Sequence, residues 1–561
     1  MITPADLLSD RAMAGASRLD WVPGAGASAT VDHWLSSALT RGSQAALREL
    51  SEQFEGATAD VWLGFGRIVM QRGYTALAAA ILERSLAVHP ATAALRYWYA
   101  NAAWQAGDAG TAEAGLRKLL AEATDADAAM LLAQILRGQG RLNAAVAILE
   151  AHASAMDDVP TLLSWAQFLR ESQRQELALD LCEREIAKIH VDPRLYALAG
   201  NLAQELGQFD LARKRYLDAL AHGIDLNLWF VLGSLASVGR YRDRAHPDFK
   251  LFERAIDDRK LSPRARSVVL FAQGKAYDDL GEHASAAKAW RKANTLMRPL
   301  VPWSGPAWQK FVASRVAARR FPVCRSATDC MPVFVVGLPR TGTTLVAELL
   351  GRHPDLCNRG ELPMLGYLAE RLATVDDAQQ ADAVEDAAGI YLAHLQRDDP
   401  PVPGYIDKNP LNFRYLDAIA AMFPGARVIY CRRHLRDTAL SIWSQPFGND
   451  EYGFANDFHD IAALATGCAT LMAHWQSSLP ISITTVDYEQ VTADPKGTVA
   501  RLTAALGLAP FDPSQADQGT TSVITSASQW QARQPIHRRS VERWRAYAKY
   551  LPELTALFAE S

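Results

Sequence analysis

The 561-residue sequence lacks several patterns that mark specialised classes of protein. No window approaches the apolar run of roughly 20 residues that a membrane-spanning helix requires. Acids and arginines interrupt the first 21 residues before any apolar segment forms, so we expect no signal peptide there. A formal net charge of −4 gives no reason to expect nucleic acid as a partner. A globular chain without a membrane span is therefore expected.

Cysteine is also scarce, with six residues and no C-x-x-C pair. No histidine accompanies these cysteines at a spacing typical of a zinc site. We therefore expect reduced thiols and a cytoplasmic location. A disulfide between Cys324 and Cys330 is the alternative that the sequence leaves open.

An internal repeat occupies the first half of the chain. Residues 51–295 are rich in helix formers, and glycines that can break helix pairs recur 34 and 33 residues apart, at Gly73, Gly107 and Gly140. Gln173 stands where the next glycine of the series is missing. An alanine five residues after most turns lets the second helix of a pair pack closely against the first. These alanines are Ala78, Ala112, Ala145, Ala178, Ala212 and Ala286.

The period and phase of this array resemble those of tetratricopeptide repeats, with Trp62 and Pro90 at positions where such a repeat prefers an aromatic residue and a proline. Single helix pairs cannot bury their apolar faces alone, so stacked pairs would form a solenoid. Such a surface implies a protein partner or self-association. The sixth copy, from Gly239 to Gly281, spans 42 residues and is predicted to be irregular.

The second half changes its period near Pro332. Short β-branched runs at Val333–Val336, Arg427–Arg432 and Ile481–Val486 predict buried parallel strands. Their alternation with helical stretches predicts an α/β domain, whose ligand should lie at the carboxyl ends of the strands. We therefore expect an N-terminal segment at 1–30, an all-α repeat solenoid at 31–300, a connecting segment at 301–331 and an α/β, P-loop-like domain with a parallel sheet at 332–561.

A phosphate-binding loop is outlined by the stretch VFVVGLPRTGTTL, residues 333–345. Gly337 and Gly342 permit the tight path of an anion nest, and the next helix aims free N–H groups at it. An ATP-binding loop would carry lysine where this chain has Thr343. Arg340 lies three residues earlier, and no candidate strand ends in an acidic metal ligand. The loop therefore predicts a site that neutralises an anion with protein cations rather than with a metal.

A second motif, RRHLRDTALSIW, puts Arg433 at a strand end and Ser441 in the following helix. A row of arginines alone is as often a solvated face. Together, however, the two motifs resemble those of sulfotransferases that use 3′-phosphoadenosine-5′-phosphosulfate (PAPS), most of all the tyrosylprotein group and its bacterial relatives with N-terminal tetratricopeptide repeats. The resemblance extends from Pro332 to the C-terminus. It implies that the first loop holds the 5′-phosphosulfate and the second motif the 3′-phosphate. The loop residues are Pro339, Arg340, Thr341, Gly342, Thr343 and Thr344.

The same resemblance implies roles for residues outside the two motifs. Glu361, twenty-one residues after Arg340, matches the catalytic base of the tyrosylprotein group. Lys408, in YIDKNP, matches the lysine that assists the leaving group. Further positions implied to bind the nucleotide are Tyr488, Ser526 and Arg543.

The activity implied is in-line transfer of the sulfuryl group of PAPS to an acceptor hydroxyl, with release of 3′-phosphoadenosine-5′-phosphate and without a metal. Glu361 would act as general base, and Arg340 and Lys408 would stabilise the developing charge. A peptide, including a peptide tyrosine, a glycan or a small molecule is compatible as acceptor. Two alternatives stay open. One is a P-loop kinase or ATPase with an atypical loop, and the other is a repeat scaffold with a degenerate nucleotide domain.

Overall fold

The computed structural model describes residues 25–155, 158–188, 192–326, 328–448, 450–513, 536 and 538–558. The chain forms two compact units. One comprises Met1–Trp165 together with Leu392–Asp399, and the other comprises Ala166–Tyr391 together with Pro400–Ser561. The four regions that the sequence predicts are not the same division, and they stay a prediction.

The first unit is made of helix pairs around a core that includes Val31, Trp62 and Leu82. Its segment Leu392–Asp399 includes Asp398, whose carboxylate accepts the backbone N–H groups of Asn143 (2.7 Å) and Ala144, at the start of a helix. The helices are α1 Ala25–Arg41, α2 Ser43–Gln53, α3 Ala59–Gln71, α4 Thr75–Val88, α5 Ala93–Gln105, α6 Ala109–Glu122, α7 Ala126–Gly138, α8 Leu142–Ala151 and α9 Val159–Glu171, with the boundary of the unit inside α9.

The second unit also begins with helix pairs. Its helices before the sheet are α10 Gln175–Ile186, α11 Pro193–Glu205, α12 Phe209–Ala221, α13 Val231–Ser237, α14 Asp248–Asp257, α15 Pro263–Asp279, α16 His283–Met297 and α17 Gly305–Ala317.

The turns between paired helices follow the predicted phase. Gly73, Gly107 and Gly140 have φ of 86°, 92° and 77°. In the same series, Gln173 takes a left-handed φ of 58° although it carries a side chain. Gly239 has no positive φ, in agreement with the irregular sixth copy. The helix-turn-helix period is therefore confirmed at these turns, as it is at Gly207 and Gly281.

Small residues allow close packing on both helices of a pair. The six alanines of the predicted series are fully buried. Sequence reasoning missed a second series on the first helices, which includes Gly200 and Gly274. A Cβ on Gly200 would lie 2.5 Å from the ring of Tyr216, and one on Gly274 would overlap with the ring of Trp290. Each glycine therefore makes room for an aromatic ring on the second helix.

A parallel five-stranded sheet forms the rest of the second unit, in the order β2-β3-β1-β4-β5. The central strand β1 is buried from Pro332 to Gly337 and pairs in register, with Val333 opposite Ile406 on one side and Val335 opposite Ile429 on the other. The strands are β1 Met331–Gly337, β2 Leu356–Asn358, β3 Gly404–Asp407, β4 Arg427–Arg432 and β5 Ser482–Asp487.

The predicted parallel sheet is confirmed, with three corrections. Strand β1 is longer than predicted at both ends, and β5 begins and ends one residue later. Strands β2 and β3 were not predicted, because three and four residues are too few to show a period. The helices that follow β1 are α18 Thr343–Leu350, α19 Leu365–Thr374, α20 Gln380–Gln396, α21 Leu416–Met422, α22 Leu435–Trp443, α23 Phe458–Ser478, α24 Tyr488–Ala493, α25 Pro495–Leu506 and α26 Glu553–Ala556, with 3₁₀ turns at Pro410–Tyr415, Asp450–Asn456 and Arg543–Ala546. The boundary between the units falls inside α20, after Tyr391.

Two further expectations concern cysteines and membranes. All six cysteines are free thiols, so the disulfide left open by the sequence is absent. Among the helices that the structure describes, none is both long enough and apolar enough to cross a membrane.

Candidate active site

The carboxyl-terminal edge of the sheet brings together residues from five separate parts of the sequence. Parallel strands all end at this edge, so a residue that follows any strand lies at the same side of the sheet. Every strand is followed within three residues by a position that the sequence analysis singles out. These residues are Arg340 after β1, Glu361 after β2, Lys408 after β3, Arg433 after β4 and Tyr488 after β5.

The loop after β1 has the tight path that its glycines predict. Gly337 has a φ of 150°, and a Cβ there would overlap with the carbonyl oxygen of Cys431 on β4. Gly342 has a φ of 92°, and a Cβ there would lie 2.6 Å from the ring of Tyr488. The hydroxyl of Thr341 donates to the carbonyl of Leu338 at 2.7 Å. Any side chain at either glycine would therefore displace a neighbouring strand or ring.

The helix that follows, α18, begins directly at this loop. Gly342 is its N-cap in the left-handed conformation, with no side-chain hydrogen bond at the cap. Thr343 and Thr344 are buried in its first turn, and Pro339 is buried in the loop. The first N–H groups of a helix have no partner within it, and they favour an anion.

Arg340 holds an uncommon backbone conformation in this loop. Its φ of 70° is unfavourable for a residue with a side chain. The Nε of Arg340 donates to the Ser441 hydroxyl at 3.1 Å, and its carbonyl accepts a hydrogen bond from Arg433 at 3.1 Å. Burial, with the nearby charges of Arg433 and Arg543, lowers the pKa of Arg340 to about 10. The charges of Arg433 and Arg543 therefore lie near that of Arg340, and an anion bound between them would be favourable.

Arg433 is the member of the arginine-rich motif that turns into the site. Its guanidinium lies 4.7 Å from the ring centre of Tyr488 and donates to the carbonyl of Ser540. Its Nε is buried without a hydrogen-bond partner in the part of the chain that the structure describes. Burial above all lowers its pKa. A buried donor of this kind is costly unless a ligand accepts its hydrogen bond.

The neighbouring arginines of the motif face elsewhere. Arg432 is exposed and forms an ion pair with Asp487 at 2.9 Å. Arg436 is buried and donates to the carbonyl of Phe558 at 2.9 Å. The arginines of this motif therefore have separate environments: one is exposed to solvent, one is buried against the C-terminal segment, and one lies at the site.

Arg543 joins these cations from the C-terminal part of the chain. The carboxylate of Asp437, on α22, accepts the backbone N–H groups of Glu542 (2.7 Å) and Trp544 (2.9 Å), and so fixes the residue between them. Asp437 belongs to the RRHLRD motif, but sequence reasoning assigned it no role. We call the group of Arg340, Arg433, Ser441, Tyr488 and Arg543 the anion cluster, because its three cations favour a bound anion.

Glu361 and Lys408 form a separate ion pair at the same edge. The lysine side chain is buried, whereas a third of the glutamate side chain (33%) is exposed to solvent. The backbone N–H of Lys408 donates to the carbonyl of Gly360 at 2.7 Å, which ties the ends of β2 and β3 together.

Asp407 adjoins this ion pair, because it precedes Lys408 and contacts the residue that follows Glu361. Its carboxylate accepts the N–H of Leu362 (3.1 Å), the side-chain amide of Asn412 (2.8 Å) and the hydroxyl of Tyr391. Burial raises the pKa of Asp407 to about 7. Sequence reasoning missed this residue, although it precedes Lys408 in YIDKNP, because a buried supporting carboxylate has no spacing signal of its own.

One predicted position cannot be placed in the site. Ser526 lies outside the described residues. Within the described residues, no group of three or more His, Cys, Asp or Glu side chains is arranged to hold a metal ion.

Comparison with known proteins supplies independent information about this domain. Residues 332–513 match the sequence profile described as the sulfotransferase family. A protein of unassigned function from Aquifex aeolicus is 28% identical over 333 residues, covering 56% of this chain and 42% of its own length. Nodulation protein NoeE of Sinorhizobium fredii is 28% identical over 250 residues, covering 38% and 59%. Protein-tyrosine sulfotransferase 1 of Mus musculus is 28% identical over 129 residues, covering 21% and 35%.

These relatives are matched over only part of their length. The chain spans less than two thirds of each of the three. The profile match, however, includes β1 from Pro332, the loop after it, the other four strands, and both Glu361 and Lys408. Residues 332–513 of this chain therefore share the sequence profile of the sulfotransferase family.

Proposed function

We propose that this chain transfers the sulfuryl group of PAPS to an acceptor hydroxyl and releases 3′-phosphoadenosine-5′-phosphate. The observation that carries the proposal is the anion cluster. Two of its three partly buried arginines, Arg340 and Arg433, have lowered pKa values, and Arg433 has a buried Nε without a partner among the described residues. Such a cluster fits a ligand with several negative charges, as a sulfated adenosine bisphosphate has.

The residues proposed to hold the nucleotide divide between its two ends. The loop from Pro339 to Thr344 and the first turn of α18 would take the 5′-phosphosulfate, and Arg433 with Ser441 would take the 3′-phosphate. Tyr488, which already packs against Gly342, would contact the adenosine. Arg543 and Ser526 complete the proposed set. No metal ion is part of the proposal.

The ion pair of Glu361 and Lys408 would supply the proposed chemistry. Bound PAPS would provide a sulfuryl group with the 5′-phosphate as leaving group. Glu361 would accept the proton of the acceptor hydroxyl while the new oxygen–sulfur bond forms and the bond to the 5′-phosphate oxygen breaks. The hydroxyl would replace Lys408 as the partner of Glu361, which frees the ammonium group to stabilise the leaving oxygen together with Arg340.

We propose a tyrosine-bearing peptide as the first acceptor to test, ahead of glycans and small hydroxyl compounds. The mouse relative is named a protein-tyrosine sulfotransferase, and this name is the reason for testing tyrosine first. We also propose that the helix pairs are tetratricopeptide repeats that bind the acceptor, a protein partner or another copy of the chain. Their period and left-handed turns support this assignment. A cytoplasmic location fits the six free thiols.

A transfer assay with ³⁵S-labelled PAPS tests the proposal. The full chain is incubated with tyrosine peptides, glycans and small phenols, in buffer that contains a metal chelator. We expect label on at least one acceptor class, and no label with the Glu361→Ala variant. Absence of transfer to any acceptor, combined with hydrolysis of ATP–Mg²⁺, would favour the kinase or ATPase alternative instead.

A further inference from the structure

The last helix pair before the sheet reaches the anion cluster through one carboxylate. We propose that Asp278, on α15, is a positioning residue that holds Arg543 toward the nucleotide anion, so that α15 and α16 form part of the nucleotide site. This inference rests on the proposed function, because it concerns how the same cluster binds its ligand.

Asp278 makes direct contact with the cation. Its Oδ2 accepts a hydrogen bond from Nη2 of Arg543 at 2.8 Å, and its Oδ1 accepts one from the hydroxyl of Tyr547. About a quarter of each side chain of the ion pair is exposed, 23% for the carboxylate and 26% for the guanidinium. A charge-assisted hydrogen bond is stronger than one between neutral groups. The contact uses only one of the five N–H donors of an arginine.

Two aromatic rings restrict the same guanidinium. Arg543 lies 5.8 Å from the ring centre of Trp290, on α16, and 5.4 Å from that of Tyr547. Trp290 is 1% exposed, and the absence of a side chain at Gly274 provides the space for its ring. Helices of the repeat region therefore supply both a charge and a surface that limit the rotation of Arg543.

Arg543 in turn acts on the other cations of the cluster. Its charge contributes to the lowered pKa values of both Arg340 and Arg433, after the larger effect of burial. Burial opposes the charge of Arg543 itself, but Asp278 and Tyr547 outweigh it, and its pKa is raised. Loss of the carboxylate would remove a negative charge that offsets part of the repulsion among the three arginines, and the long side chain of Arg543 would lose the ion pair that orients it.

The adjacent residue offers a matched control. Asp279 accepts the backbone N–H of Tyr241 at 2.9 Å and forms an ion pair with Lys275 at 2.7 Å, both within the helix pairs. The substitution Asp279→Asn therefore removes the same charge one residue away, but it touches no member of the anion cluster in these contacts.

The test is calorimetric titration of the full chain with 3′-phosphoadenosine-5′-phosphate. We expect Asp278→Asn to weaken binding about tenfold, Asp279→Asn to change it less than threefold, and Asp278→Glu to give an intermediate loss. In an Arg543→Gln background, Asp278→Asn should cause no further loss, because the group that it positions is gone. A purely structural role would instead weaken binding in both backgrounds.

Thermal unfolding of each variant checks that it is folded, and Asp278→Glu retains the charge if Asp278→Asn fails to fold. If the wild type binds the nucleotide and folded Asp278→Asn binds it equally well or more tightly, this inference alone is overturned. A wild-type chain that does not bind the nucleotide would overturn the proposed function, and this inference with it.

Discussion

At the scale of the residue, the site holds partly buried arginines near one another, and a carboxylate pairs with one of them, Arg543. Arg340 and Arg433 lie close enough for the charge of one to affect the other, and burial disfavours the charge on both. The free protein therefore keeps unfavourable charge in place, which an anionic ligand would relieve. Binding of such a ligand should stabilise the folded chain by mass action.

Arg433 and its neighbour Arg432 allow a direct comparison. We expect Arg433→Ala to weaken binding of 3′-phosphoadenosine-5′-phosphate roughly 10- to 100-fold, since it removes charged hydrogen bonds to the ligand. The exposed, ion-paired Arg432 is the control, and Arg432→Ala should change the affinity less than about twofold. AMP, which lacks the 3′-phosphate, should lose little affinity for the Arg433 variant. Equal losses for both nucleotides would contradict the 3′-phosphate assignment.

Substitution of Glu361 should lower the rate of turnover without weakening nucleotide binding. We expect Glu361→Ala to lower kcat for sulfuryl transfer roughly 100-fold or more while the nucleotide affinity stays within about threefold of wild type, because the residue acts on the acceptor proton. Steady-state kinetics and titration calorimetry measure the two quantities. Full activity of the variant would remove Glu361 from the role of base.

Asp407 should give the chain a distinct pH dependence of stability. Its pKa is about 7 in the folded protein and near the ordinary 3.8 when unfolded, so the folded state holds the proton more tightly. As the pH rises from about 4 to about 7, the folded state consequently loses stability, by about 1.4 kcal/mol per unit of pKa difference at most. The contribution is fully present below about pH 4 and lost above about pH 7.

Thermal unfolding midpoints of wild type and Asp407→Asn, measured across this pH range, test that dependence. The wild-type midpoint should fall relative to that of the variant as the pH rises. Parallel curves for the two proteins would show that Asp407 is ionised to the same extent in both states.

At the scale of the residue, the structure brings the positions that a short motif marks to one edge of the sheet, and their roles stay a prediction. The loop residues and Arg433 follow strands directly, and Glu361 and Lys408 were located by resemblance. The carboxylates of Asp278, Asp407 and Asp437 were missed, because each supports another residue through contacts that only the folded chain creates. The spacing of residues along the sequence does not reveal such contacts.

At the scale of the element, close packing decides which helix positions tolerate a side chain. Gly274 lies inside α15, where alanine would ordinarily favour the helix by about 1 kcal/mol. Its Cβ would overlap with the buried ring of Trp290, however, and overpacking of this kind costs about 1–3 kcal/mol. We expect Gly274→Ala to lower the thermal unfolding midpoint.

Gly389 provides the opposite case. It lies in α20 with an exposed position, and a Cβ there would meet no atom within 4 Å. Gly389→Ala should therefore raise stability by about 0.5–1 kcal/mol. A loss of stability in both variants, or in neither, would contradict the packing argument.

Whether a helix or strand could be predicted from the sequence depended on the length of that element. The turns of the helix pairs were located by their constant period, and the strands of six or seven residues were found to within two residues of their bounds. Strands β2 and β3 were missed, although they carry Glu361 and Lys408 to the site. A strand as short as Leu356–Asn358 is defined by its neighbours in the sheet, and a single sequence does not show them.

At the scale of the whole molecule, the nature of the nucleotide decides between the proposed function and its alternatives. The site brings cations to the position where an ATP-binding protein needs a lysine and a metal ion. The thermal unfolding midpoint of the full chain should therefore rise with 3′-phosphoadenosine-5′-phosphate in the presence of a chelator, and it should not rise with ATP–Mg²⁺. A rise with ATP–Mg²⁺ alone, or with neither nucleotide, would contradict the central claim.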